Sequence, residues 1–424
     1  MPAGVQQAEV ILVTGATGYV GTRLIPALLE RGFRVRAMAR DPRSLSLRPW
    51  YRQVEIDSGD VLDAASLPPA LTGVTAAYYL IHNMSVGREY RAMEQEGALN
   101  FGAAARAAGV EHIIYLGGLG DGSGHGHMES RHRAGTALRN SGVPVTEFRA
   151  CVIIGTGSIS FEIIRSMAQW FPLIPAPLPT DLPAQPIATP DLMRYLIAAL
   201  ATPEARGQVV EIGGPGVHLY PDMILTCARE LGLRRWKFPF PIYPLELSAR
   251  IVDRLSPVPL NIARPLMQEL VGPSVLTDPN ARALFPSIQP MSYEEAVRHA
   301  LRREEMPADS PWMDSLVTRR PLASAKVRTR GEGFLIEYEV SQADAGPGGK
   351  SLPAALSGDP PQGWSVRAGI PGAWVRLEAQ RKLPGRLYLE IERRENSLRR
   401  AVLFEPNGLP GFLASGSVLR RESP

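Results

Sequence analysis

Cysteine is nearly missing from this chain. Cys151 and Cys227 are the only two among 424 residues, far apart and without a nearby His or Cys at metal-ligand spacing. That excludes a disulfide framework and a cysteine-based metal site, and it points to buried thiols in a reducing compartment. Long apolar runs are lacking too: no segment approaches the roughly 20 apolar residues of a bilayer span. The opening MPAGVQQAEV holds no apolar h-region, so a cytoplasmic location is expected, with peripheral membrane contact left open. An excess of one charge is also missing. The 46 Lys and Arg against 42 Asp and Glu leave a formal +4, with no sustained basic block, which argues against nucleic acid as a partner and leaves a small molecule as the expected one. What remains is ample apolar material, 45% of the residues, enough for a large α/β unit plus a smaller one.

The most informative segment is VILVTGATGYVG, Val10 to Gly21. A short continuous apolar run, Val10 to Val13, reads as a strand buried on both faces of a parallel sheet. It leads into a glycine-punctuated turn and an amphipathic helix, Tyr19 to Arg31. In that context Gly15 permits the tight turn, Gly18 lets a pyrophosphate approach the backbone, and Gly21 lets the helix pack on the strand. The helix amides then face the phosphates. Thr14, Gly15, Thr17, Gly18, Tyr19, Val20 and Gly21 are therefore the expected dinucleotide loop. Its TGxxGxxG spacing resembles the short-chain dehydrogenase/reductase superfamily.

Strands and helices then alternate. Strands are expected at Arg34 to Ala39, Val54 to Asp57, Ala76 to Leu80, His112 to Leu116 and Val145 to Ala150, with helices from Tyr90 to Ala108 and from Met128 to Ser141. Such alternation implies right-handed crossovers and a Rossmann-like, doubly wound parallel sheet. Beyond Cys151 the composition becomes proline-rich. Thr189 with Pro190 reads as an N-cap pair opening a helix through Ala201. Gln208 to Ile212 is strand-like, Pro221 to Leu231 helical, and Ser292 with Glu295 forms a capping box. This half is expected to make an irregular substrate lobe over the sheet's carboxyl edge. From about Ala308, Phe334 to Val340, Trp374 to Gln380, Arg386 to Glu392 and Leu398 to Phe404 read as strands of a small antiparallel domain, with a flexible insert around Asp359 to Gln362. The expected division is residues 1–307 for the nucleotide-binding domain with its lobe from about 151, and 308–424 for the C-terminal domain.

The second strand ends in Ala39 and Arg40, where an NAD site usually places a carboxylate. Arg40, with Arg36 or Arg43, suits a 2′-phosphate, so NADPH is expected over NADH. Asp41 keeps NAD open, although it reads as a turn residue before Pro42. Asp60 and Val61 resemble the superfamily's adenine-contacting segment, and Asp60 is also a candidate cap for a helix near Ala64. Leu80, Ile81 and His82, with Gly117 from the next strand, are expected beside the cofactor. His82 reads more readily as a pocket-wall histidine than as a catalyst.

Ordinary members of the superfamily use a Tyr with a Lys four positions on. Here the matching positions are His127 and Arg131. His127 is a candidate proton donor and Arg131 a candidate holder of ribose or of an anionic substrate, with pocket shaping as the alternative for both. Gly117 and Gly118 stand where a catalytic Ser is expected. These departures resemble the atypical NmrA-like NAD(P)H-binding group. A closer likeness is to its bacterial subgroup with a C-terminal DUF2867 domain, carried by YLGGLG (Tyr115 to Gly120), SRHRAG (Ser130 to Gly135), Ser141 to Arg165, Gln185 to Leu196, Glu211 to Pro215 and KLPGRLYLE (Lys382 to Glu390). The C-terminal part is short for that domain. The resemblance places Arg149, Phe161, Glu162, Arg165 and Gln185 along the cleft, with backbone satisfaction as the alternative for Arg149. It implies an NADPH-dependent reductase of a small hydrophobic, carbonyl or quinone substrate, as a monomer or homodimer. The alternatives are a non-catalytic NADP(H)-sensing or scaffold protein, or a C-terminal domain that carries lipid or quinone.

Overall fold

Apolar side chains on both faces of each central strand fix the architecture. The structure is a computed structural model that describes residues 9–45, 48–82, 90–120, 127–177, 183–240, 273–302, 320–322, 325–330, 333–341, 364–370, 374–380, 385–393 and 397–406. Strands β1 (Val10–Val13), β2 (Arg34–Ala39), β3 (Glu55–Ser58), β4 (Val74–Tyr79), β5 (His112–Gly118) and β6 (Val145–Ala150) are joined by helices α1 (Gly21–Leu29), α2 (Leu67–Leu71), α3 (Tyr90–Ala107) and α4 (His127–Arg139). All pairings in this sheet are parallel, in the order β3-β2-β1-β4-β5-β6. A seventh strand, Val209–Ile212, adds beside β6. This is the doubly wound order, whose direction reverses between β1 and β4, where ligands bind in such folds.

One face packs Leu24, Ile25 and Leu28 of α1 against Ile11, Val13, Val35 and Ala37. Each of these fully buried Leu, Ile and Val side chains contributes roughly 1.5 to 3 kcal/mol. The opposite face packs Phe101 and Ala105 of α3 and Ala134 and Leu138 of α4 against Leu12, Tyr79 and Tyr115.

After β6 come β7 (Ile153–Ile154), α5 (Ile159–Trp170), β8 (Leu173–Pro177), β9 (Pro183–Ala184), β10 (Ile187–Ala188), α6 (Thr189–Ala198), β11 (Val209–Ile212, the seventh strand), β12 (His218–Leu219), α7 (Tyr220–Glu230), β13 (Trp236–Phe240), α8 (Asn280–Leu284) and α9 (Tyr293–Leu301). Three small ladders, β7 with β10, β9 with β12 and β8 with β13, tie this region together. A third core of α5, α7 and α9 lies beneath them. The region is not all lobe: Leu192 and Leu196 of α6, Val210 of β11 and Phe285 belong to the core of the main sheet.

The C-terminal sheet has seven antiparallel strands: β14 (Arg320–Leu322), β15 (Ala325–Arg330), β16 (Gly333–Ser341), β17 (Trp364–Ile370), β18 (Trp374–Ala379), β19 (Gly385–Arg393) and β20 (Ser397–Pro406). Their order is β14-β15-β16-β20-β19-β18-β17. Four of the seven correspond to expected strands; the expected insert at 359–362 lies outside the described residues.

The capping box is present at Ser292 and Glu295, each side chain bonding the other's backbone N–H. Two expected caps are corrected. Thr189 is the first helical residue rather than the N-cap, because its hydroxyl serves Ile154 O at 3.1 Å and Tyr19. Asp63, not Asp60, caps the turn at Ala64, accepting from the Ala65 N–H. The carboxylate of Asp60 instead receives the N–H of Leu62 at 3.0 Å, closing a turn one step earlier.

Candidate functional site

At the carboxyl end of β1 the chain turns before α1 begins at Gly21 rather than at Tyr19, because Gly18 N–H bonds back to Gly15 O at 2.9 Å. Gly15 has φ +64°, and a Cβ there would stand 2.6 Å from Leu80 O. A Cβ on Gly21 would lie 2.4 Å from Gly15 O. These two glycines are therefore demanded by the backbone itself. Gly18 differs: a Cβ there would meet only Gly15 O, at 3.2 Å, so it borders open space. Among the described residues, the N–H groups of Thr17, Val20 and Gly21 donate to no carbonyl of the chain. Thr14 anchors the loop across the switch point, donating to Tyr78 O at 3.0 Å while accepting from Leu80 N–H at 3.1 Å. The result is a cradle of unspent amides at a helix start with one open side, the arrangement that suits a diphosphate.

Tyr19 and Arg23 close the lobe side of the cradle. The Tyr19 hydroxyl shares a 2.8 Å hydrogen bond with Thr189 Oγ1, and the Arg23 guanidinium carbon lies 3.7 Å from the Tyr19 ring centroid. Burial raises the Tyr19 hydroxyl above its usual pKa. Arg23 also donates to Thr156 O at 2.7 Å.

At the end of β2, Arg40 is exposed, and no described side chain bonds its guanidinium. Arg36 is placed differently from the expectation that it helps with a 2′-phosphate. It sits in mid-strand opposite Glu55, bonds that carboxylate at 2.6 and 2.9 Å, and donates to Ala70 O and Thr72 O at 3.0 and 2.7 Å. Those contacts occupy its donors. Asp41 is a turn residue, bonding the backbone and side chain of Arg43, each at 3.0 Å; that contact holds its carboxyl below the usual range. Arg43 is thereby engaged as well.

Leu80 and Ile81 leave β4 beside the loop, Leu80 backing Gly15. Val61 is buried, and its carbonyl accepts from Asn100 at 2.9 Å. Gly117 lies against Tyr115, where a Cβ would approach the ring at 3.2 Å. A Cβ on Gly118 would stand 2.4 Å from Met128 Sδ, so a methionine of α4 occupies the place beside β5 where a serine was sought.

His127 opens α4, and its side chain lies outside the described residues. Arg131 follows one turn later; its carbonyl accepts the Tyr115 hydroxyl at 2.9 Å. Sequence reading missed the two residues that join this corner. Glu94 of α3 is 4% exposed. It meets His82 Nδ1 at 3.3 Å through one oxygen and accepts the Ser130 hydroxyl of α4 through the other. Burial opposes its ionisation, yet His82, Ser130 and Arg131 together hold its carboxyl below the usual range. A signal existed: Glu94, Ala98, Phe101 and Ala105 are spaced as one helix face, and an acid on a stripe whose other members are core residues needs a partner.

The residues expected along the cleft, Arg149 on β6 and the others after it, are buried or bonded to groups of the protein itself. Phe161 is fully buried. Glu162 accepts the Gly157 N–H at 2.9 Å and pairs with Arg165. Gln185 donates to Gly214 O at 2.7 Å and accepts from Leu276 N–H at 3.1 Å. Arg149 bonds the buried Glu147 at 2.7 Å, and Arg139 reaches the same carboxylate. Apolar packing and ion pairing hold these side chains inside the protein. No described helix is long and apolar enough to cross a membrane, and among the described residues no cluster has metal-ligand character.

Among solved structures, the triphenylmethane reductase of Citrobacter sp. complexed with NADP(H) superposes with a TM-score of 0.56 at 19% identity, covering 69% of this chain and 99% of that one. The NADPH-dependent quinone oxidoreductase QOR2 of Escherichia coli, complexed with NADPH, gives 0.55 at 20% identity over 69% and 100%. These likenesses show a shared Rossmann-like fold. A 3 beta-hydroxysteroid dehydrogenase/Delta 5→4-isomerase of Mycobacterium tuberculosis is 36% identical over 115 residues, 25% of this chain and 30% of that protein; the chain thus spans under a third of that relative's length. The (4-alkanoyl-5-oxo-2,5-dihydrofuran-3-yl)methyl phosphate reductase of Streptomyces griseus subsp. griseus is 29% identical over 225 residues, 52% of this chain and 74% of that protein. The glycine cradle and the strand order around it fall within residues 7–237, more than half of the chain, which match the model of the NmrA-like family. The chain belongs to the NmrA-like family.

Proposed function

We propose that this protein is an NADPH-dependent reductase of a small hydrophobic carbonyl or quinone compound. The observation that carries the reading is the cradle: three glycines, two required by backbone contacts and one bordering open space, around amides with no carbonyl partner among the described residues. The diphosphate would rest on Thr17, Gly18, Val20 and Gly21. Asp60, Val61, Leu80, Ile81 and Gly117 would line the rest of the cofactor's path, and Arg40 would meet the 2′-phosphate. Among the candidates for that last role only Arg40 has no partner in the described structure, and NADPH is preferred over NADH on that ground. When bound, NADPH supplies a hydride. The chain supplies orientation and a proton.

Names of similar proteins support the chemistry: a triphenylmethane reductase and a quinone oxidoreductase share the fold, and a furanone phosphate reductase shares sequence over half of this chain. The direct test is calorimetry with NADPH and NADH on the wild type and Arg40→Ala, followed by NADPH oxidation against quinones, enones and aldehydes. Tight binding with turnover of at least one class is expected. Tight binding with no turnover in any class supports the second reading, an NADP(H) sensor or scaffold. One observation favours that reading: among the described residues it is Met128, and not a hydroxyl, that fills the position beside Gly118.

Residues 308–424 are proposed as a separate, shortened domain of the DUF2867 type. The antiparallel sheet from β14 to β20 supports this, since among the described residues its strands pair only with one another. Native mass spectrometry of the purified chain tests whether this domain carries a lipid or quinone.

A further inference from the structure

Glu94 occupies a core position of α3, where an aliphatic side chain would cost far less desolvation. Both of its oxygens are committed. Ser130 reaches across from α4 to one, and His82 presents Nδ1 to the other at 3.3 Å. The arrangement is one-sided: Glu94 is 4% exposed, while the His82 side chain is 22% exposed. His82 Nε2 meets no hydrogen-bonding partner among the described residues. The ring also lies 6.2 Å from that of Tyr115, whose hydroxyl is tied to Arg131 O.

Location gives this cluster its meaning. His82 follows Leu80, which seats against Gly15, by two residues, at most about 7 Å of chain. It therefore stands at the carboxyl edge beside the switch point, near the dinucleotide cradle. A carboxylate that accepts the Nδ1 proton of an imidazole fixes the tautomer and leaves Nε2 to exchange a proton with whatever lies in the cleft.

We propose that His82 is the proton donor of the reduction, with Glu94 as the positioning residue that orients its ring and Ser130 as the group that fixes Glu94. This rests on the reductase reading above. In the step, the carbonyl carbon of the acceptor gains the hydride of NADPH, and its C=O π pair moves to oxygen. That oxygen takes the Nε2 proton of imidazolium His82, leaving an alcohol, NADP⁺ and a neutral imidazole that water reprotonates. With a quinone, the hydride on a carbonyl carbon and the Nε2 proton on its oxygen give a hydroxydienone, which becomes the hydroquinone when that carbon gives up its hydrogen to solvent as a proton and the second carbonyl oxygen takes one up, with no net further proton. His127, the donor candidate offered by its spacing from Arg131 and its imidazole, is not required for this step.

The test uses the full-length protein with its best acceptor from the panel. NADPH affinity, kcat, KM and the pH profile of kcat/KM are measured for the wild type, His82→Gln and Glu94→Gln. His82→Gln should lower kcat roughly 100-fold or more while NADPH affinity stays within about threefold. In Glu94→Gln the imidazolium loses its anionic partner. Arg131, Tyr115 and Tyr79, the other described charged or titratable groups facing the pair, remain, as does the Ser130 hydroxyl. The alkaline fall of kcat/KM should therefore move about one unit toward lower pH. Undiminished kcat in His82→Gln overturns the proposal alone, as does a pH profile unmoved in Glu94→Gln. If Glu94→Gln does not fold, His82→Gln, which lies on the partly exposed edge, decides. A wild type inert toward every acceptor overturns the reductase reading and this inference together.

Discussion

Tyr19, in the glycine loop, and Thr189, 170 residues later at the start of α6, share a 2.8 Å hydroxyl hydrogen bond. The loop is thereby latched to the region after β6. A Cβ on Gly155 would stand 2.2 Å from the Thr189 oxygen and 2.3 Å from the Tyr19 oxygen, so the latch closes over a residue without a side chain. Tyr19→Phe should cost about 1 kcal/mol, the net worth of a typical hydrogen bond, whereas Gly155→Ala should cost more because the added methyl forces both hydroxyls apart. Thermal melts of the two variants check the order; no loss in Tyr19→Phe would show that the latch carries nothing.

Gly18 and Gly21 should fail in different ways. A Cβ on Gly21 collides with Gly15 O at 2.4 Å, whereas one on Gly18 borders open space. Gly21→Ala is expected to lower Tm. Gly18→Asp is expected to fold normally yet lose NADPH binding by more than tenfold, because its carboxylate would face the diphosphate. Circular dichroism melts paired with calorimetry separate the two outcomes.

Arg40 and Arg36 should also divide their effects. Arg40→Ala is expected to reduce the preference for NADPH over NADH by roughly 10- to 100-fold, the worth of one charge-assisted contact, with little change in stability. Arg36→Ala should leave the preference unchanged and destabilise the protein instead, because Glu55 and the carbonyls of Ala70 and Thr72 lose their donor. Calorimetry with both nucleotides is the measurement, and a loss of preference in Arg36→Ala would contradict it.

His112 on β5 is 1% exposed. Its Nε2 lies 2.8 Å from the Thr146 hydroxyl, and burial, helped by Arg206, lowers its pKa to about 4. The folded state thus binds this proton more weakly than the unfolded chain, whose His titrates near 6.5. The associated stability is complete above about pH 6.5 and is lost as pH falls from there through 4, amounting to roughly 3 kcal/mol. Denaturant melts at pH 7.5, 5.5 and 4.5 should show this loss. His112→Gln, which cannot charge, should flatten part of the slope.

Local patterns made the nucleotide half of the chain legible. An unbroken apolar tetrad, Val10 to Val13, has no stable place except between two helical layers, and Gly15 and Gly21 announce a turn that backbone contacts then require. The box at Ser292 and Glu295 likewise needs only residues three apart. Within the C-terminal sheet, β16 and β18 to β20 carried strand signals, whereas β14, β15 and β17 did not stand out as strands from their own residues.

The roles of charged side chains were decided elsewhere. Sequence made Arg36 and Arg43 candidates for a 2′-phosphate and placed Arg149, Glu162 and Arg165 on segments along the cleft, because a charged side chain read alone looks available. Whether it is available depends on what lies across the strand or the next helix, as Glu55 does for Arg36 and Glu147 for Arg149. The pairing of Glu94 with His82 and Ser130 likewise joins three elements that only the packing of α3 and α4 on β4 and β5 brings within reach. Sequence by itself determined the layered parallel sheet and the glycine turn, since both follow from short-range sterics and periodic burial. Tertiary structure alone decided which buried charges are spent on one another and which face the cleft, since Coulomb and hydrogen-bond energies depend on distances that spacing along the chain does not fix.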